Sequence, residues 1–171
     1  MRHPVDASRV RELIRSLGAH ARADVGIYLT GGSTAVLEGW RASTKAVDLK
    51  LVPDDEGVLR AIPETKEKLA INVELAAPDD FIPPLPGWEA RSRFISREGK
   101  ASFFHYDFYA QALAKLERGH AVDLGDVREM AQRGLIDPAK LGSFLDLIEP
   151  SLYRYPAVDP RSFRRRVNDS V

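Results

Sequence analysis

Residues 25–52, VGIYLTGGSTAVLEGWRASTKAVDLKLV, limit what this chain can fold into more than any other stretch. Residues 25–29 are β-branched, aromatic and aliphatic, the composition of a buried strand. Gly31 and Gly32 end that run abruptly, because glycine accepts backbone angles closed to other residues. Ser33 and Thr34 follow as good N-cap residues, and residues 35–38 read as the first turns of a short helix. A strand, tight turn and helix in that order aim backbone N–H groups and a hydroxyl at one place, as a phosphate site requires. The second strand alternates. Val47, Leu49 and Leu51 take one face, the core face, while Ala46, Asp48 and Lys50 take the other. Asp48 is then an acid on the open face, beside the Gly-Gly-Ser turn.

The rest of the chain frames this stretch. Asp6 or Ser8 caps an opening helix whose Val10, Leu13, Ile14 and Leu17 form one apolar stripe, with Gly18 as its stop. Residues 53–56 start a second helix with acids in its first turn and Val58, Leu59, Ile62 and Leu69 on its inner face, and Pro63 is a point of kinking or division. Residues 69–75, LAINVEL, alternate again, with Ile71, Val73 and Leu75 inward and Asn72 and Glu74 on the other face. Glu74 is thereby a candidate active-site carboxylate, with Asp79 and Asp80 competing for the role and an ordinary solvated strand residue as the plainer meaning. The proline-dense PDDFIPPLPGWEA is an ordered loop that packs down through Phe81, Ile82, Leu85 and Trp88. Residues 91–106 read as a β-hairpin around Glu98-Gly99-Lys100, whose arginines form a solvated strand face or a basic edge. From Asp107 the pattern is helical. FYAQALAKLERG and VDLGDVREMAQRG end at Gly119 and Gly134, a further helix opens at Asp137-Pro138, and RSFRRRV forms a basic tail.

These elements predict an α/β (α+β) chain, a small mixed sheet flanked by helices: an α/β core over residues 1–107 and a C-terminal helical portion over 108–171 that packs on the core and completes the site. A length of 171 residues with 44% hydrophobic and 29% charged composition suits that size of core. Basic and acidic residues number 25 each, so net charge points to no nucleic acid, and such binding has to come from local patches such as Arg161, Arg164, Arg165 and Arg166. The absence of cysteine excludes disulfides, thiolate metal sites and thiol catalysis, and is compatible with a reducing cytoplasm. Neither a signal-peptide core nor a bilayer-length apolar run occurs, so the expectation is a cytoplasmic protein with no membrane partner. The four histidines, His3, His20, His105 and His120, have neither metal-site nor Ser-His-Asp spacing, and no chemistry is expected of them.

Gly31-Gly32-Ser33, a spacer, then Thr44-Lys45-Ala46-Val47-Asp48-Leu49 resembles the nucleotidyltransferase superfamily, in which a Gly-Gly or Gly-Ser turn binds triphosphate and an Asp-x-Asp strand holds two magnesium ions. AKLERGHAVDLGDV, with Lys115, Arg118, Asp123 and Asp126, resembles a motif of the AbiEii-like, bacterial toxin-type members of that superfamily. The two motifs stand in the right order between residues 25 and 134. The resemblance implies a nucleotidyltransferase fold and Mg2+-dependent transfer of a nucleoside monophosphate from an NTP to an acceptor, the 3′ end of tRNA, by the toxin of a toxin–antitoxin system with a cognate antitoxin as partner. It assigns nucleotide binding to Gly31, Gly32, Ser33, Thr34, Lys115, Arg118 and Asp123. Catalysis falls to position 46, Asp48, Glu74, Lys115 and Asp126, and metal binding to Asp48 and Glu74. Without the resemblance, Lys115 and Arg118 read as ion-pair partners of Asp123 and Asp126.

The chain departs from the family at one sensitive place. Carboxylates at i and i+2 on one strand face grip two metals about 3.5–4 Å apart, and Ala46 stands where the first is expected. Ala46 reads as an inactivating replacement in an otherwise intact stretch, so that activity is impaired. The alternative is a catalytically dead nucleotidyltransferase fold serving as a nucleotide- or protein-binding module, and the codon of the native gene at position 46 discriminates the two.

Overall fold

The structure, a computed structural model, describes residues 3–171 and is of mixed α/β type. Its chain divides into two compact units, Met1–Ala77 with Ser92–His105, and Pro78–Arg91 with Tyr106–Val171.

The first unit is built on a five-stranded mixed sheet of β1 (Val25–Thr30), β2 (Ala46–Val52), β3 (Asn72–Leu75), β4 (Arg93–Glu98) and β5 (Ala101–His105), in the order β3-β2-β1-β5-β4. β1 is central, antiparallel to β2 and parallel to β5, while β2 runs parallel to β3 and β4 antiparallel to β5. Helices α1 (Ala7–Gly18), α2 (Gly32–Glu38) and α3 (Glu56–Leu69) supply the apolar side chains that cover one sheet face. Val10, Leu13, Ile14 and Leu17 of α1 are buried, as their spacing predicts, together with Val25, Ile27 and Leu29 of β1 and Val47, Leu49 and Leu51 of β2. Asp6 caps α1 by accepting the Arg9 N–H at 2.9 Å, and Asp55 caps α3 by accepting that of Val58 at 3.0 Å. Gly18 closes α1 for a packing reason as well, since a Cβ there would stand 2.8 Å from the Glu98 carbonyl oxygen.

Three expectations change here. Pro63 lies within a continuous α3. Leu75 is exposed, because β3 is an edge strand that ends there, where the alternation no longer has a core beneath it. Arg91 leaves the hairpin and closes the short helix α4 (Trp88–Arg91), so the hairpin is residues 93–105 alone.

In the second unit, α5 (Phe108–Arg118) packs on α6 (Ala121–Gln132), α7 (Leu141–Ile148) and α8 (Pro160–Asp169). Leu113, Leu116, Met130, Leu141, Leu145, Phe163 and Val167 are buried. The proline-rich segment, expected within the α/β core, belongs to this unit. Ile82 and Leu85 are buried, Trp88 stacks on Tyr106 at 4.3 Å between ring centroids, Arg91 pairs with Asp107 at 2.8 Å, and Phe81 is left exposed. The basic tail is helical and partly structural. Arg166 donates to the carbonyls of Leu116 and Glu117, Arg164 pairs with Asp146 and Glu149, and Arg161 and Arg165 are exposed. No helix among the described residues is long and apolar enough to cross a membrane.

Candidate functional site

The Gly31–Gly32 turn forms where β1 meets α2. Gly31 is the N-cap of α2 at a φ of 67°, a conformation that favours glycine. Gly32 is required for a different reason: a Cβ there would stand 2.7 Å from the Cβ of Thr44 and closer still to its Oγ1. A Cβ on Gly31 would stand 3.5 Å from Oδ2 of Asp48, so the turn and that carboxylate face each other.

Two hydroxyls expected to contact phosphate are committed elsewhere. Ser33 is fully buried and its Oγ donates to the Thr30 carbonyl at 3.0 Å. Thr34 is equally buried, with Oγ1 3.0 Å from Nδ1 of His105. Both lock α2 against its neighbours, and what the turn offers a ligand is backbone at Gly31 and Gly32.

On the sheet face opposite the helices, strand register decides which side chains are neighbours. Asp48 pairs with Thr30 of β1 on one side and with Glu74 of β3 on the other, and Ala46 pairs with Asn72. Two carboxylates therefore lie side by side on one face, an arrangement that is unfavourable without a cation between or near them. Asn72 Nδ2 donates to Glu74 Oε1 at 3.2 Å and steadies the exposed member. Of the three acids in competition, Glu74 is the one placed beside Asp48, while Asp79 and Asp80 lie in a 3-10 turn of the second unit. No group of three or more His, Cys, Asp or Glu side chains among the described residues is arranged to hold a metal ion. Two hard oxygen donors are nonetheless a sufficient protein contribution for magnesium carried on a triphosphate, which keeps waters and phosphate oxygens as its other ligands. Asp48 and Glu74 fit that role; Ala46 offers no donor.

The second motif assembles inside the second unit. Lys115 Nζ lies 2.7 Å from Asp126 Oδ2 and 3.9 Å from Asp123 Oδ1. Arg118 grips Asp123 with both Nε, at 2.9 Å, and Nη2, at 3.0 Å. Asp123 and Asp126 are buried, Lys115 is nearly so, and Arg118 is largely exposed. The sequence pattern thus brings its four charged residues together as the α5–α6 ion pairs.

No family model, curated protein or solved structure matches this chain.

Two residues at the turn escaped the sequence reading. His105 is buried, with Nδ1 facing Thr34 and Nε2 3.5 Å from Oε2 of Glu38, whose other oxygen accepts from Arg93 at 3.1 Å. Burial, aided by the Arg93 charge, lowers its pKa from 6.5 to about 4. His105 is therefore neutral at pH 7, held between the Thr34 hydroxyl at Nδ1 and the Glu38 carboxylate at Nε2. Its partners are distant in sequence, and no local pattern announces them. Arg41 is the other. Its Nη1 would stand 3.3 Å from a Cβ on Gly32, which places a guanidinium against the turn.

Proposed function

We propose that the first unit carries a nucleotidyl-transfer site at the Gly31–Gly32 turn and the Asp48–Glu74 face. The observation that carries this reading is the juxtaposition of Asp48 with both the glycine turn and a second carboxylate, Glu74. In the reaction, an acceptor hydroxyl oxygen attacks the α-phosphorus of an NTP, the bond to the bridging oxygen of the β-phosphate breaks, and pyrophosphate leaves. Magnesium, when bound, supplies charge neutralisation on the phosphates and an activated acceptor oxygen. Asp48 and Glu74 would hold it. The side-chain-free backbone at Gly31 and Gly32 admits the triphosphate close to Asp48, and His105 keeps α2 in place through Thr34. The acceptor proposed is RNA, the tRNA 3′ end by resemblance, in the cytoplasm of a host that also makes an antitoxin.

With Ala46 at the first ligand position, the chain should bind nucleotide and transfer it poorly. A missing ligand costs several kcal/mol of transition-state stabilisation, and each ~1.4 kcal/mol is a factor of ten. Ala46→Asp, incubated with each labelled NTP, magnesium and total RNA, should therefore raise transfer by orders of magnitude, and adding Asp48→Asn should remove the gain. Equal transfer by the chain with Ala46 and by Ala46→Asp would sink the two-carboxylate assignment.

The ion pairs of the second unit favour a second reading for their residues. The role the resemblance gives Lys115, contact with phosphate, competes with its 2.7 Å bond to Asp126. Together with Ala46, that pairing supports a module that binds nucleotide or protein without turnover. An Ala46→Asp form that stays inert with every NTP and acceptor would support it.

A further inference from the structure

We infer that the open face of the sheet holds single-stranded RNA, with Phe94 as the ring on which an unpaired base stacks. This rests on the nucleotidyl-transfer reading of Asp48 and Glu74 on that face and gives its RNA acceptor a place to lie. Strand register carries the inference. Tyr28 of β1 pairs with Phe104 of β5, and Phe104 with Phe94 of β4, while Ile27 and Phe103 belong to the core, so the three rings form one row across the face opposite the helices. Tyr28 and Phe104 stack with centroids 5.0 Å apart, and Phe94 meets Phe104 edge to face at 5.8 Å.

Exposure rises along that row. Tyr28 is buried and lies down on the sheet, since a Cβ on Gly26 would stand 2.9 Å from its ring. Phe104 is half-buried, and Phe94 is 58% exposed on β4, an edge strand. Edge strands are ordinarily blunted by charge, as Arg93 and Arg97 do here. A phenylalanine left in water between these two arginines suits a ligand that is flat, apolar on its faces and carried on an anionic chain, which describes an unpaired base.

The same face supplies cations for the phosphates. Lys50 pairs with Tyr28 at the β2 end of the aromatic row. Arg97 pairs with Ser102, two residues from Phe104 on β5, and donates to its hydroxyl at 2.9 Å. Asp24, the acid paired with Arg97, is 84% exposed, so that ion pair is solvated and a phosphate can replace it. Asp48 lies two residues along β2 from Lys50, and three strand spacings separate β2 from β4, which puts Phe94 about 15 Å from Asp48. An acceptor whose end sits at Asp48 therefore reaches Phe94 with a base a few nucleotides upstream. Stacking and phosphate contacts read no base identity, so the face selects unpaired strands without selecting sequence.

The test is fluorescence anisotropy of labelled single-stranded RNA and of duplex RNA of the same length, titrated at several salt concentrations in the presence of a chelator. Parent, Phe94→Ala, Phe94→Trp and Arg97→Gln forms are compared, each with a melting curve and its oligomeric state by sedimentation. The parent should bind the single strand more tightly than the duplex. Phe94→Ala should lose about tenfold in single-strand affinity, the scale of one base stack, and Phe94→Trp should keep it. Melting should change little, because the ring is exposed. Arg97→Gln should reduce the salt dependence by about one phosphate contact. A folded Phe94→Ala protein that binds single strands within twofold of the parent overturns the inference, as does a parent that binds duplex equally well or no RNA at all. A parent that dimerises through Phe94 and ignores RNA overturns it in favour of a face for a second copy. The nucleotidyl-transfer reading fails separately: an Ala46→Asp form that stays inert with every NTP while Phe94 still governs RNA binding leaves the RNA face standing and removes the enzyme assignment.

Discussion

The turn of the first unit and the ion-paired helices of the second treat charge in opposite ways. Between α5 and α6 each acid has met a base: Lys115 lies on Asp126, Arg118 holds Asp123 with two nitrogens, and the carboxylates are buried. At the turn, Asp48 and Glu74 stand side by side with like charge, and backbone without side chains faces one of them. Charges arranged to satisfy each other hold a structure together. Carboxylates set beside one another on a strand repel, and a cation bound there relieves the repulsion. The contrast separates two motifs that one resemblance had joined, leaving the first as the better candidate for chemistry and giving the second an evident structural task.

The largest effect that bears on this contrast is expected from Asp126→Ala. It removes the hydrogen-bonded partner of the nearly buried Lys115 ammonium, leaving only Asp123 at 3.9 Å, and should cost about 3 kcal/mol in a denaturant titration. Lys115→Met with Asp126→Leu should recover most of that loss. Were Asp126→Ala to leave the unfolding midpoint in place and weaken NTP binding instead, the two motifs would be alike after all.

His105 gives the next effect, and it depends on pH. Its folded pKa is lowered from 6.5 to about 4, so the unfolded imidazole takes up a proton first as the solution is acidified. The contribution is complete above pH 6.5 and is lost as pH falls toward 4, to a total of about 3 kcal/mol at 1.36 kcal/mol per unit. Denaturation of the parent between pH 7.5 and 4.5 should therefore show a steeper loss than His105→Asn, and matching slopes would remove the buried neutral imidazole from the account.

Gly32→Ala probes the turn itself. The added Cβ meets Thr44, which is tied to Val5 and Ala46, so the loop has to move at a cost of about 1–3 kcal/mol. Triphosphate affinity should fall with it, since the backbone facing Asp48 shifts too. A Gly32→Ala protein that keeps both stability and affinity would show the turn to be slack.

The smallest effect serves as a control. Arg97 pairs with Asp24 at 2.9 Å, but their side chains are 50% and 84% exposed, and Arg97→Ala should change stability by under about 1 kcal/mol.

How far the sequence foretold these features depends on how local each one is. The alternation of Val47, Leu49 and Leu51 against Asp48 was legible, because a strand shows its two faces within a few residues. So was the stripe of α1. Leu75 followed the same pattern and is exposed, since nothing in the alternation states that β3 lies at the edge and stops. Ser33 and Thr34 look like hydroxyls for a ligand, and their real partners are a carbonyl three residues back and an imidazole from β5. Only the fold brings His105 there. The proline-rich segment misled for a related reason: its place in the chain suggests the sheet, whereas Ile82, Leu85 and the stack of Trp88 on Tyr106 tie it to the helical unit.

The sheet order has a further consequence, for synthesis. β1 pairs with β5, Val25 opposite Ala101, while residues 78–91, which are made between them, belong to the other unit. As the chain leaves a ribosome, β1 has only β2 beside it until the hairpin emerges, and its second edge stays unpaired for that interval. The first unit is thus complete only once residue 105 has been made, after one segment of the second unit and before helices α5 to α8. Any chaperone or partner that shields an exposed strand edge has its opportunity in that window.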